Sequence, residues 1–167
     1  MRLTAFPPLA EKNAKTLILG SMPGVRSLEE NRYYAHPRNA FWQIISDCFG
    51  GSRDNYAEIT NHLLEAKLAL WDVLLHCERP GSLDTNIKRD TIVCNDFEAF
   101  LSKHRSIHTV LFNGKTAQAL FKKHVQNQPF FLQLEPKPVL HGLPSTSPAM
   151  ASLSYAEKLA IWRSHLC

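Results

Sequence analysis

Short apolar runs alternate along the chain with stretches that carry apolar residues on one helical face. Lys15 to Leu19 holds such a run, halted by Gly20, and predicts a buried strand. Asn39 to Phe49 keeps Phe41, Trp42, Ile44, Ile45, Cys48 and Phe49 at helical spacing and stops at Gly50-Gly51. Tyr56 to Lys67 predicts a second helix, with Ile59, Leu63 and Leu64 on one side. Leu68 to Leu75 is a compact apolar run and predicts the second strand; its single acid, Asp72, needs a partner if buried. Cys77 to Arg89 predicts a loop turning at Pro80-Gly81. Asn95-Asp-Phe-Glu98 has the form of a capping box, so a helix is expected from about Asp96 to His104. Thr109 to Phe112 predicts a third strand, and Gly114 opens a helix through His124. Phe130 to Leu134 and Pro138 to Leu140 predict extended chain and a fourth strand. Ser154-Tyr-Ala-Glu157 is a second capping box, opening a helix through Leu166. Strands that alternate with helices predict one α/β domain over residues 1–167. Its expected form is a three-layer α/β/α sandwich on a four-stranded, mainly parallel sheet.

Composition narrows the class. The 167 residues are 44% hydrophobic and 20% charged, enough for one folded domain with a substantial core. No run approaches a membrane span, and the first residues lack the apolar core of a signal peptide, so a cytoplasmic protein without membrane contact is expected. Cys48, Cys77, Cys94 and Cys167 form no CxxC pair, and no histidine cluster completes a zinc spacing. Free thiols, no metal and no cofactor are therefore expected. A formal charge of +4 permits nucleic acid as a partner without demanding it.

Candidate chemistry gathers in loops that follow strands, because an open parallel sheet places its ligands at the carboxyl ends. Gly20, Ser21, Met22, Pro23 and Gly24 form a rigid loop, either an anion-cradling turn or simply a tight one. Asn39 either caps the helix after it or holds a water or polar substrate atom; Phe41 and Trp42 either fill the core or cover a flat base. Asn113 offers a donor and an acceptor to a base edge, or caps the helix at Gly114. His141 donates to substrate or ends a strand. Ser145, Thr146, Ser147 and Pro148 belong to a proline-bracketed hydroxyl loop suited to phosphate oxygens, or to a surface turn. Leu143 or Met150 beside it has the character of a wedge for a base stack.

These segments resemble the uracil-DNA glycosylase superfamily, and within it the hypoxanthine (deoxyinosine) DNA glycosylases. The resemblance is carried by Gly20-Ser-Met-Pro-Gly24, Tyr33-Tyr-Ala-His-Pro-Arg-Asn-Ala-Phe-Trp42, Leu70-Trp-Asp-Val73 with Arg79-Pro-Gly-Ser82, Phe112-Asn-Gly114 and Leu143-Pro-Ser-Thr-Ser-Pro-Ala149. It implies a monofunctional enzyme that flips a deaminated base, hypoxanthine or uracil, out of DNA and hydrolyses its N-glycosidic bond, leaving an abasic site. It also implies that Asn39 and Asn113 are catalytic, that residues 20–24, Phe41, Trp42 and His141 meet the base, and that residues 145–148 meet DNA. Met22 stands where other families carry the Asp or Asn that orients water; in the hypoxanthine branch the residue matching Asn39 takes over. The expected partner is DNA bearing a deaminated base, bound by a monomer. Two rival readings are a catalytically weakened DNA- or nucleotide-binding module of the same fold, favoured by Met22, and a hydrolase of free nucleosides, disfavoured by the wedge-capable loop.

Overall fold

The computed structural model describes residues 1–167. Strand β1 (Arg2–Thr4) precedes the first central strand, β2 (Thr16–Gly20). Helices α1 (Val25–Glu30), α2 (Phe41–Phe49) and α3 (Tyr56–Glu65) lead to β3 (Leu68–Asp72) and β4 (Leu74–Glu78). A 3₁₀ turn at Asp84–Asn86 opens into β5 (Lys88–Cys94), followed by α4 (Phe97–Lys103) and β6 (Thr109–Asn113). Then come α5 (Lys115–His124), the short α6 (Pro129–Leu132), β7 (Val139–Leu143) and α7 (Tyr155–Leu166).

The central sheet is the expected one: four parallel strands in the order β3-β2-β6-β7. Strands β2, β3 and β6 are almost wholly apolar up to their carboxyl ends because both faces are covered, whereas the edge strand β7 is partly exposed. Alternate residues serve opposite layers. Leu17, Leu19, Ala69, Trp71, Val110 and Phe112 join the core that includes α4 and α5. Ile18, Leu68, Leu70 and Leu111 join the core beneath α2, α3 and α7. The register pairs Gly20 with Asp72 and Asn113 with Leu143, which sets these strand ends along one carboxyl edge. No helix is long and apolar enough to cross a membrane.

Three expectations need correction. The run Leu68 to Leu75 is two strands, not one. At Val73 the chain leaves the parallel sheet and enters a second, three-stranded antiparallel sheet ordered β1-β4-β5. Asn95 stabilises the step: its side-chain amide donates to the Asp72 and Leu74 carbonyls at 2.8 and 3.2 Å. The expected loop from Cys77 to Arg89 accordingly contains the end of β4 and the start of β5. Phe130 to Leu134 is not extended; Pro129 starts a helical turn there that sends Phe131 into the core. Smaller shifts occur at helix ends. Helix α2 begins at Phe41 rather than Asn39, and the cap of α4 is Asp96, which accepts from the Ala99 N–H at 3.0 Å. The Ser154–Glu157 capping box is present as expected.

Candidate active site at the carboxyl edge of the sheet

The loop after β2 is pinned from below by a buried arginine. Arg79 donates to the Pro23 carbonyl at 2.6 Å and to the Gly81 carbonyl at 2.8 Å, and approaches the Met22 carbonyl at 3.5 Å. Asp84 lies 3.9 Å from the same guanidinium and accepts from the Ser21 hydroxyl at 2.8 Å. The Ser82 hydroxyl accepts from the Val25 N–H at 2.9 Å. Residues 20–24 therefore sit in a fixed frame, and Met22 points its thioether into the core. A thioether there cannot orient water.

Thr146 ties the Asn113 side chain to the backbone next to Asn39. Its backbone N–H donates to Asn113 Oδ1 at 2.9 Å, and its hydroxyl accepts from Asn113 Nδ2 at 2.9 Å. Its carbonyl accepts from the Ala40 N–H at 3.0 Å, one residue beyond Asn39. Asn39 Oδ1 accepts from the Phe41 N–H at 2.9 Å in a turn just ahead of α2, whose N-cap is Ala40 rather than Asn39. A carboxamide oxygen so engaged keeps a second lone pair, and the amide keeps its donors. Asn39 and Thr146 both line an open cavity of about 390 Å³, whose wall also holds Arg38, Arg53, Met150 and Lys158. No carboxylate lines it. Lys158 is buried, donates to the Ser147 carbonyl at 3.3 Å, and loses some of its basicity through desolvation.

The proline-bracketed loop is stiffened from within. The Ser145 and Ser147 hydroxyls each accept from the backbone N–H two residues on, at 3.1 and 3.2 Å. Pro148 lies on the cavity wall. Trp162 of α7 donates to the Pro144 carbonyl at 2.9 Å. Gly114, at φ +97, admits the loop closely: a Cβ there would stand 3.1 Å from that of Ser145.

Other candidates lie apart. Phe41 and Trp42 are buried; Phe41 packs against Tyr34 with ring centroids 4.4 Å apart, and the Trp42 ring donates to the Tyr33 carbonyl. His141 pairs in register with Leu111, short of the strand end, and its ring meets His165 of α7.

Two groups at the carboxyl edge escaped sequence reasoning as site residues. Asp72 ends β3 beside Gly20, and one of its oxygens is buried without a hydrogen-bond partner. Burial, reinforced by the nearby Asp84 and opposed by Arg79, pushes its carboxyl up to about 7. Tyr34, held at φ +51, carries a buried hydroxyl that is also unpartnered. Burial and the Asp72 charge drive its phenol well above the usual range, against the pull of neighbouring Asn113. The lone acid in an apolar run was the available signal for Asp72.

A parallel sheet covered on both faces, with polar side chains gathered at its carboxyl edge, defines an α/β domain that takes its ligand at the strand ends. Residues 7–164 match the family model described as the Uracil DNA glycosylase superfamily. The chain belongs to that superfamily. It is 38% identical over 117 residues to a hypoxanthine DNA glycosylase of Methanosarcina barkeri, covering 69% of this chain and 73% of the relative. It is 32% identical over 114 residues to a hypoxanthine DNA glycosylase of Methanosarcina acetivorans, covering 67% and 71%. It is also similar to the solution NMR structure of a Methanosarcina acetivorans protein provisionally named a uracil DNA glycosylase. That match has a TM-score of 0.76 and 29% identity, and covers 99% of each chain.

Proposed function

We propose that this protein is a monofunctional DNA glycosylase, acting as a cytoplasmic monomer, that extrudes a deaminated base from DNA and hydrolyses its N-glycosidic bond. Hypoxanthine and uracil are the bases we assign to it. The observation that supports the reading is a cationic cavity free of carboxylates, lined by Asn39 and by Thr146, which bonds both the Asn113 side chain and the Ala40 N–H beside Asn39. Such a wall suits a polyanion, and phosphate contacts dominate the affinity of proteins for DNA. Family membership and the names of the relatives support the same reaction class.

In this mechanism the loop at 145–148, with Arg38, Arg53 and Lys158, holds the strand while the damaged nucleotide rotates out, at a cost of a few kcal/mol. Met150 fills the space left in the stack. Asn39 uses its free lone pair to hold a water against the sugar carbon, where a cation-like sugar needs no strong base. Asn113, fixed by Thr146, and the rigid loop at 20–24 support the leaving base. Phe41 and Trp42 act as backing for this wall, and His141 takes no part. The product is an abasic site.

The test is single-turnover release from duplexes bearing one deoxyinosine or one deoxyuridine, scored by alkaline scission. Asn39→Ala is expected to slow release by about 10²-fold or more while leaving DNA affinity within a few-fold, the scale seen when a preorganised group is removed. Unchanged release by that variant removes Asn39 from the mechanism. Met22 supports a second reading, a binding module without catalysis; binding without scission by the wild-type protein selects it.

A further inference from the structure

Asp72 and Tyr34 reach the same spot at the floor of the edge. A Cβ on Gly20 would lie 2.6 Å from Asp72 Oδ1 and 2.9 Å from the Tyr34 hydroxyl, so only a glycine there lets both approach the backbone. The two side chains come from separate segments, the end of β3 and the turn before α2. The Tyr34 hydroxyl and Asp72 Oδ2, the carboxyl oxygen other than the one nearest Gly20, are buried with no partner, although buried polar groups are normally paired. Asn113 stands next to the Tyr34 hydroxyl. A phenol and a carboxyl, each with an unpaired oxygen, thus converge beside one backbone glycine.

We propose that the Tyr34 hydroxyl and the Asp72 carboxyl form a two-donor recess that receives a carbonyl oxygen of the extruded base and holds it as negative charge accumulates there. This rests on the glycosylase reading and deepens it. A carboxyl kept neutral by its surroundings donates a hydrogen bond, as the phenol does, and two donors suit the two lone pairs of a carbonyl. Deamination supplies that carbonyl: hypoxanthine carries an oxygen where adenine has an amino group, and uracil where cytosine has one. An amino group would meet the recess donor against donor, leaving buried polar groups unpaired, which is the strong form of discrimination. One recess thus accounts for refusal of both undamaged parents. As the base departs, its oxygen gains charge, so both hydrogen bonds strengthen in the transition state.

The protonation of Asp72 sets a pH dependence. The charged and titratable groups around it are Asp84, which favours the neutral form, Arg79, which opposes it, and the phenols of Tyr33 and Tyr34. Below about pH 7 the carboxyl is neutral and donates; above it a carboxylate faces a departing anion. Base release is therefore expected to fall as pH rises through that value.

The experiment compares wild type, Tyr34→Phe, Asp72→Asn and Asp72→Leu in single-turnover release from deoxyinosine duplexes between pH 5.5 and 9, with thermal unfolding and DNA affinity measured alongside. Tyr34→Phe is expected to slow release about tenfold or more at unchanged affinity. Asp72→Asn keeps a donor, so it should retain substantial activity and lose the decline above neutrality; Asp72→Leu should lose both donor and activity. Wild-type rates and a wild-type pH profile in Tyr34→Phe and Asp72→Asn would show that the recess holds only water, overturning this inference while the Asn39 result still supports the glycosylase. No release by the wild-type protein from any deaminated duplex would overturn both.

Discussion

At the residue scale, the cost of the site is concentrated in Asp72. Its carboxyl ordinarily titrates near 3.8 and is held up at about 7 in the folded chain. Between those values the unfolded chain gives up the proton and the folded chain keeps it, so stability falls as pH rises across that window and stays reduced above it. Chemical denaturation at pH 5 and pH 8 should show wild type losing stability between the two, and Asp72→Asn losing less. Arg79 is the opposite case, a buried cation whose hydrogen bonds fix the loop that carries Gly20. Arg79→Met is expected to destabilise the fold by about 2–4 kcal/mol, since it strips partners from buried carbonyls and leaves Asp84 uncompensated; the same denaturation curves measure it. Individual residues were unevenly legible in the sequence. Asn39 and Asn113 stood out by position, after a loop and after a strand. Tyr34 did not, because nothing in its neighbours shows that a hydroxyl will be buried without a partner.

Secondary elements were legible where burial on both faces makes a strand apolar throughout. That is true of β2, β3 and β6, and the helices with a clear inward face followed. The small antiparallel sheet was not legible. Strand β5 reads Lys-Arg-Asp-Thr-Ile-Val-Cys, is largely exposed, and owes its conformation to pairing with β4. Such strands are defined by their neighbours more than by their own residues. The split at Val73 was hidden for a related reason: an unbroken apolar run does not reveal that the chain has changed sheets. Helix α7 was legible from its cap, and its role follows from what it carries. Lys158 and Trp162 both donate to carbonyls of the hydroxyl loop. Ser154→Ala should lower stability by about 1 kcal/mol through loss of the cap, and protection of the loop amides in hydrogen exchange should fall with it.

For the molecule as a whole, the site is an assembly of segments far apart in the chain, and sequence reasoning could name the segments but not their contacts. The bridge from Asn113 to Thr146 spans 33 residues, and the one from Ala40 to Thr146 is longer still. Charge is likewise a property of the assembly: a modest net +4 gives little hint that Arg38, Arg53 and Lys158 share one wall without an acid. If Arg38 meets a phosphate, Arg38→Gln should weaken binding to damaged and undamaged duplex alike and reduce the slope of log affinity against log salt by about 1. Titrations at several salt concentrations measure that slope.

Because α7 clamps the hydroxyl loop from behind, the rim depends on a helix that is made only after every strand of the sheet. A nascent chain halted before Trp162 would already contain both asparagines and the glycine-bearing turn, yet lack the indole that holds the Pro144 carbonyl and braces the hydroxyl loop from outside.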